Sequence, residues 1–219
     1  TQGAGWILML LAIDTATTRA SIALHDGRTL RSECTWEAAN RHTTTLAARI
    51  AQMLEASDLA PTALTAVAVC IGPGSYTGVR IGVALAKGMA VARQLPLIGI
   101  PTLDILAAAQ PADDRPLYAA FAAGRQRVGF ARYRWEDKGW CTETEVTMGT
   151  WAELFAQINE PALLVGEIET ANLPTNPQLT IPAPALHLRR AGFLADLAWA
   201  RLLAGQTDDP ALLQPLYAR

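Results

Sequence analysis

The sequence predicts an α/β protein whose two halves repeat one order of elements, βββαβα. Apolar residues make up 51% of the 219 residues and charged residues 17%, so a substantial core is available. Short apolar runs alternate with segments in which apolar residues recur at helical spacing. Two tandem copies of this order indicate a duplicated fold with ligand or partner surfaces between the halves.

The first half is predicted to cover residues 1–110. It opens on a nearly continuous apolar strand, and Asp26-Gly27 predicts a turn between the two short strands that follow. The next helix carries Leu46 and Ile50 on one face and charged residues off it. The predicted strands are Ile7–Asp14, Ala20–His25, Leu30–Thr35, Ala66–Ile71 and Leu97–Ile100, and the predicted helices are Arg41–Ser57, Gly78–Gln94 and one from Leu103 capped by Thr102.

The stretch Gln110–Pro116 is rich in helix and strand breakers and marks the predicted boundary, so residues 111–219 form the second half. Prolines between residues 174 and 184 make the connection before its last helix irregular. The predicted strands are Leu117–Ala122, Val128–Trp135, Trp140–Thr147 and Leu163–Gly166, and the predicted helices are Thr150–Ile158 and Arg190–Leu203.

Charge and cysteine content narrow the class of protein. The net charge of −2 supplies no excess for phosphate neutralisation, so we do not expect the isolated chain to hold RNA tightly. Cys34, Cys70 and Cys141 lie far apart and predict neither a disulfide framework nor a zinc site, which favours a reducing, cytoplasmic compartment. The apolar run Trp6–Ile13 is too short to span a bilayer and lacks a charged leader, which favours a buried strand.

The strongest chemical signal is the run GPGSYTG, which joins a predicted buried strand to a predicted helix. Its glycines would let backbone N–H groups approach a phosphate, and the helix N-terminus adds a favourable partial charge. The alternative is a tight strand-to-helix turn in which glycine only relieves crowding, and both interpretations stay open. The candidate phosphate-binding residues are Gly72, Gly74, Ser75, Thr77 and Gly78.

A second signal lies at the end of the first strand, where Asp14 and Thr15 open the run DTATT. An aspartate followed by hydroxyl residues can orient a metal-bound water or a phosphate, so both join the candidate nucleotide-binding residues. Aspartate and threonine are equally typical of turns that bind only their own backbone.

Four segments together closely resemble the bacterial TsaB (YeaZ) family: LAIDTATTRASIAL, VAVCIGPGSYTGVRIGVALAKGMA, PLIGIPTLDILAAA and the final PLYAR. The resemblance is dense over residues 7–110 and thinner afterwards. It implies a duplicated actin-like ATPase (ASKHA) fold and a role in forming threonylcarbamoyladenosine at position 37 of ANN-reading tRNAs. It also implies a non-catalytic subunit that dimerises with the catalytic subunit TsaD and acts with the ATPase TsaE.

The same resemblance bears on cofactors and further partners. We expect no tightly bound cofactor, with ATP or ADP bound only in the complex, tRNA met only through the complex, and no membrane contact. A homodimer of the chain alone stays open. Two positions depart from the expected pattern: Ala16 stands where the ATPase superfamily usually has glycine, and Ala122 stands where the family usually has aspartate.

The residues give a separate reason to expect no catalysis. TsaD binds its metal through an H-x-x-x-H pair, whereas here His42 is followed by Leu46 at the second position, and one imidazole does not make a metal site. An active ATPase or phosphotransferase would need an adenine-binding segment, for which Val165-Gly166-Glu167 is the nearest candidate. A metallopeptidase would need a ligand set, and Ser75 lacks the flanking residues of a nucleophile elbow.

Helix Gly78–Gln94, together with helix Arg41–Ser57, is predicted to bind the partner. The polar residues of helix Gly78–Gln94 cluster on one narrow face, and the remainder forms two apolar stripes, although a helix on a sheet needs only one. We expect Ile81, Leu85 and Met89 to face the core of the chain. The alternative is that helix Arg41–Ser57 covers the second stripe. The candidate interface residues are His42, Val79, Val83, Ala86 and Ala90.

Overall fold

A computed structural model describes residues 8–38, 42–124, 127–168 and 176–217, with the backbone alone for residues 42–44. It divides into two compact units. The first unit holds the described chain up to Ile100 together with Arg190–Pro215, and the second holds Pro101–Arg189 and the residues from Leu216 onward. The division therefore differs from the boundary predicted at residue 110, because the chain changes unit directly after Ile100 and its last helix returns to the first unit.

The first unit contains the predicted elements of the first half up to its fifth strand. They are β1 (Leu10–Asp14), β2 (Arg19–His25), β3 (Leu30–Glu37), α1 (His42–Ala56), β4 (Ala66–Cys70), α2 (Tyr76–Arg93) and β5 (Leu97–Ile100). The sheet order is β3-β2-β1-β4-β5. β1, β2 and β3 are antiparallel neighbours, whereas β4 and β5 extend the sheet parallel to β1.

The second unit contains a sheet built on the same plan. Its elements are α3 (Thr102–Ala108), β6 (Leu117–Ala122), β7 (Arg127–Glu136), β8 (Gly139–Thr142), β9 (Thr147–Thr150), α4 (Trp151–Gln157), β10 (Ala162–Gly166) and β11 (Leu179–Thr180). The order β8-β7-β6-β10-β11 repeats that of the first sheet, with antiparallel and parallel neighbours in the same places. This topology confirms the duplicated α/β fold.

The predicted single strand Trp140–Thr147 is wrong, because two short strands occupy this region. β8 and β9 both pair with β7, with Thr142 opposite Tyr133 and Thr147 opposite Phe130. The connection from β8 to β9 contains more residues than the part of β7 that lies opposite it. Extra residues of this kind cannot enter the ladder, so the strand is interrupted.

The last helix, α5 (Ala191–Leu203), packs on the first sheet although it follows the second in the chain. Its N-terminus lacks a side-chain cap of its own. Glu33 of β3 accepts a hydrogen bond of 2.8 Å from the Gly192 amide and forms an ion pair with Arg190. A carboxylate at a helix N-terminus satisfies free amides and favours the helix dipole, so β3 caps α5 from outside.

The N-terminus of α4 is capped by side chains of its own segment, whereas that of α3 is not. Thr150 and Glu153 form a reciprocal capping box at the start of α4, which confirms the helix predicted to begin there. The predicted cap of α3 is wrong, because Pro101 occupies the N-cap position and makes no side-chain hydrogen bond. Thr102 is the first helical residue and is fully buried.

The assignment of the two apolar stripes of α2 is also wrong. Val79, Val83, Ala86 and Ala90 are at most 3% exposed, so they belong to the core of the chain and are not available to a partner. Ile81, Leu85 and Met89 are only partly buried. Small residues bring the helix axis close to the sheet, and this gives the flatter stripe the inner position.

Ala90→Glu is expected to destabilise the isolated chain by about 3 kcal/mol or more, because it places an unpaired charge in a close-packed core. Ala84→Glu is the matched control, since Ala84 lies on the exposed side of the same helix. Thermal unfolding of both variants checks this. Equal stability of the two variants would contradict the burial of the Ala90 stripe.

In the second unit, a buried acid–phenol pair ties α3 to β7. The Tyr133 hydroxyl donates a hydrogen bond of 2.7 Å to the Asp104 carboxylate. Burial raises the pKa of Asp104 above its ordinary value of 3.8, and the hydrogen bond from Tyr133 opposes this rise only in part. The folded chain therefore binds this proton more tightly than the unfolded chain does.

It follows that the contribution of Asp104 to folding stability falls as the pH rises from about 4 through its raised pKa. Asp104→Asn keeps an oxygen that can accept the Tyr133 hydrogen bond but removes the charge. We expect the free energy of unfolding of this variant to lose the fall over that pH range, as measured by urea denaturation at several pH values. Parallel pH profiles of variant and wild type would contradict this.

Candidate closed loop pair and exposed helix face

The carboxyl ends of β1 and β4 bring the two predicted phosphate-binding loops together. β1 and β4 are parallel neighbours, with Ile13 opposite Val69. The loop that follows β1 therefore lies beside the loop that follows β4 and leads into α2. The structure thus places Asp14 and Thr15 beside the glycine-rich run.

Direct hydrogen bonds join the two loops. The Ser75 amide donates a bond of 2.6 Å to the Ala16 carbonyl. The Thr15 hydroxyl donates a bond of 2.7 Å to the Gly78 carbonyl. Within the first loop, the Asp14 carboxylate accepts a bond of 2.8 Å from the Ala16 amide. Three of the groups expected to hold a phosphate or a water, the Asp14 carboxylate, the Thr15 hydroxyl and the Ser75 amide, are thus bonded within the two loops.

The glycines of the run make this contact sterically possible. A Cβ atom on Gly74 would lie 2.2 Å from the Ala16 carbonyl oxygen, and one on Gly78 would lie 2.1 Å from the Thr15 carbonyl oxygen. One turn further along α2, a Cβ atom on Gly82 would lie 2.3 Å from the Thr15 hydroxyl oxygen. Close approach of backbone to backbone is a role for which only glycine fits.

Ser75 has a structural role that the sequence analysis missed. It is the N-cap of α2, and its hydroxyl accepts a hydrogen bond of 3.2 Å from the Gly78 amide. A serine three residues before the bonded amide is a usual N-cap signal and could have been recognised. The helix accordingly begins at Tyr76, ahead of the predicted Gly78. Thr77 lies in the first turn and is exposed.

The end of β10, which corresponds to the end of β4 in the first unit, also makes close backbone contacts. Gly166 ends β10 with φ +124°, and a Cβ atom there would lie 1.8 Å from the Ala120 carbonyl oxygen. The Glu167 carboxylate accepts a hydrogen bond of 3.3 Å from the Ala122 amide and faces the guanidinium of Arg189. This segment, the candidate for adenine binding, therefore contacts its own sheet.

Among the residues that the structure describes, no group of three histidine, cysteine or acidic side chains could hold a metal ion. His25 contacts Asp196 at 3.3 Å and accepts the Gly27 amide, whereas His187 accepts the Gly166 amide. The side chain of His42 lies outside the described atoms, so its interface role stays a prediction. No helix in the described part of the chain is long and apolar enough to cross a membrane.

The exposed side of α2 carries Arg80 and Arg93 together with several small residues. Ala84, Gly88 and Ala92 are exposed, and a Cβ atom on Gly88 would meet nothing within 4 Å. The neighbouring helix α1 contacts α2 and exposes further alanines. We name the α2 part of this surface the outer face of α2; it consists of Ile81, Ala84, Leu85, Gly88 and Ala92.

Comparison with known proteins supplies the family. The family model of TsaD, tRNA N6-adenosine threonylcarbamoyltransferase, matches residues 36–178. The tRNA threonylcarbamoyladenosine biosynthesis protein TsaB of Bacillus subtilis is 31% identical over 162 residues, which cover 73% of this chain and 71% of that protein. The TsaB protein of Escherichia coli is 36% identical over 135 residues, which cover 60% of this chain and 58% of that protein.

Solved structures agree with the sequence relatives. YeaZ from Pseudomonas aeruginosa superposes with a TM-score of 0.80 at 25% identity, over 95% of this chain and all of that one. A second Pseudomonas aeruginosa structure, of an uncharacterized protein with similarity to peptidase YEAZ, has a TM-score of 0.82 at 23% identity and covers 97% of this chain. Both share the fold described above. The chain belongs to the TsaB (YeaZ) family of tRNA threonylcarbamoyladenosine biosynthesis proteins and has the duplicated α/β fold described above.

Proposed function

We propose that this chain is a non-catalytic activating subunit for the formation of threonylcarbamoyladenosine at position 37 of ANN-reading tRNAs. It acts by pairing with a TsaD-like catalytic subunit. The observation that carries the proposal is the contact between the loops after β1 and β4, in which the Ser75 amide donates a hydrogen bond to the Ala16 carbonyl. A fold of this type that processes nucleotide needs these loops open to phosphate.

A phosphate cradle works because backbone N–H groups point at the ligand and glycine leaves room for it. In this chain the Ser75 amide already has a backbone acceptor, and the space beside Gly74 and Gly78 is filled by carbonyl oxygens. Thr15 is fully buried, and its hydroxyl is bound to the backbone of α2. A phosphate would have to separate the loops and leave these polar groups without their partners.

The outer face of α2 supports association with another protein. It presents alanine and glycine in the middle with Ile81 and Leu85 beside them, and small residues permit close approach of a second helix. This surface replaces the stripe that the sequence predicted. The TsaD family model matches a range that includes both α1 and α2. A partner with equivalent helices could therefore pack on them pseudo-symmetrically.

Further partners follow from the same proposal. The net charge of −2 leaves little excess positive charge for an RNA backbone, so tRNA would be met through the complex. A TsaE-like ATPase would act on that complex, and ATP or ADP would bind there. A homodimer of the free chain stays a separate prediction.

Ala84→Glu is expected to leave the chain folded but to reduce co-elution with a TsaD-like subunit at least tenfold, because the larger side chain blocks close approach of a second helix and its charge must be desolvated. In a reconstituted system with TsaD-like and TsaE-like proteins and tRNA, the variant should lower threonylcarbamoyladenosine formation as omission of the chain does. Ala152→Glu is the control, since Ala152 is exposed on α4. Full modification without this chain would overturn the proposal.

The purified chain alone is expected to leave ATP unhydrolysed, since the loop groups bind one another. Release of phosphate is measured for the wild type and for Asp14→Ala at equal protein concentration. Both should match the buffer background. Turnover above background that disappears in Asp14→Ala would instead favour an active ATPase of this fold.

A further inference from the structure

All charged side chains of α2 are basic. The helix contains no aspartate or glutamate, and its charged residues are Arg80, Lys87 and Arg93. The neighbouring helix α1 carries one arginine and one glutamate, whose charges cancel. The chain as a whole has a net charge of −2. The helix that bears the proposed partner surface is therefore a local region of positive charge on a slightly acidic protein.

Two of these cations hold the flanks of α2 to its own unit. The Lys87 ammonium donates a hydrogen bond of 3.0 Å to the Leu213 carbonyl. The Arg93 guanidinium donates to the carbonyls of Pro61 and Thr62, with a distance of 2.9 Å to Thr62. A carbonyl group is neutral, so these bonds orient the two side chains without cancelling their charge. Both cations therefore add to the positive potential of the helix.

Arg80 lies at the margin of the outer face of α2. It is exposed and lies one turn before Ala84, and residues four apart are neighbours on a helix surface. Its guanidinium carbon lies 4.1 Å from the centre of the Tyr76 ring, and Tyr76 is itself 58% exposed. Such a cation–π contact holds the guanidinium over the ring. Arg80 is thus an oriented cation at the N-terminal end of this face.

The guanidinium of Arg80 offers more donors than a single contact uses. It carries five N–H groups in a planar fork that fits the two oxygens of a carboxylate. Because the side chain is exposed, water reaches part of this fork beside the contacts that Arg80 makes within the chain. An incoming carboxylate can replace that water.

A partner that covers the outer face of α2 would remove water from Arg80. A guanidinium without an opposite charge in a dry interface is strongly unfavourable, whereas a bidentate pair with a carboxylate restores its hydrogen bonds. A second copy of this chain would bring another α2 without an acidic residue, so like charges would oppose the pairing of two α2 helices. The phosphates of an RNA fit this face less well, because the exposed alanine and glycine that follow Arg80 have no side-chain donors.

We propose, on the basis of the function proposed above, that Arg80 selects the partner of this chain by binding a carboxylate of the TsaD-like subunit, with the Tyr76 ring holding the guanidinium in position. An acidic side chain of that subunit then lies opposite the first turns of α2. Arginine and tyrosine are enriched among the residues that carry most of the binding energy in protein interfaces.

Arg80→Gln tests this because it removes the charge and keeps a polar side chain. The dissociation constant for a TsaD-like subunit is measured at low and at high ionic strength, and thermal unfolding checks that the variant is folded. We expect the affinity of the variant to be about tenfold or more below that of the wild type at low ionic strength. The two proteins should differ less at high ionic strength, where salt screens the attraction.

Three further variants separate the charge from other properties of the side chain. Arg28→Gln removes a positive charge from the exposed turn between β2 and β3, at the end of the sheet opposite to the start of α2, and should bind as the wild type does. Arg80→Lys keeps the charge but lacks the planar fork, so its affinity should lie between those of the wild type and Arg80→Gln. Tyr76→Leu removes the ring beneath Arg80 and should lower the affinity by a smaller factor.

The result for the wild type separates the role of Arg80 from the proposed function. A wild-type chain that does not bind the TsaD-like subunit would contradict both. Binding of the wild type, with equal affinity and equal salt dependence of Arg80→Gln, would overturn only the role of Arg80. Binding of tRNA by the wild-type chain alone, lost in Arg80→Gln, would assign Arg80 to a phosphate and would likewise overturn it.

Discussion

The hydrogen bond between the Ser75 amide and the Ala16 carbonyl joins the ends of two parallel strands and fixes where α2 begins. Glycine at positions 74, 78 and 82 lets the helix lie directly on the loop after β1. A helix held this close to a sheet has room only for small side chains beneath it. The burial of Ala86 and Ala90 therefore follows from a contact made in the first turn of the same helix.

In the second unit, a glycine likewise permits close backbone contact at the end of β10, the strand equivalent to β4. Gly166 lies against the Ala120 carbonyl, and the carboxylate of Glu167 binds the Ala122 amide. In the first unit, glycines of the loop and of α2 approach the segment after β1, whereas in the second unit a glycine at the end of β10 approaches β6. The contact between the loops after β1 and β4 supports the proposal that the first unit of this chain is not built around a phosphate.

Local patterns allowed much of this fold to be predicted, because β1 and β4 are covered by helices and appear as continuous apolar runs. The inner face of α2 could not be assigned in this way, since both of its stripes are apolar and only the tertiary contact at Gly82 decides between them. The placement of α5 depends on Glu33, which lies far away in the sequence and shows no local signal. The N-cap role of Ser75 was local and could have been found.

The contact between the loops after β1 and β4 also holds α2 in place, and α2 carries the surface proposed for the partner. A protein that orders its loops around a nucleotide changes its helix positions with ligand occupancy, whereas this chain holds α2 through its own backbone bonds at Gly78 and Ala16. An interface that is already ordered loses less conformational freedom on association. The proposed lack of a phosphate site would therefore favour a constant outer face of α2, which suits the proposed activating subunit.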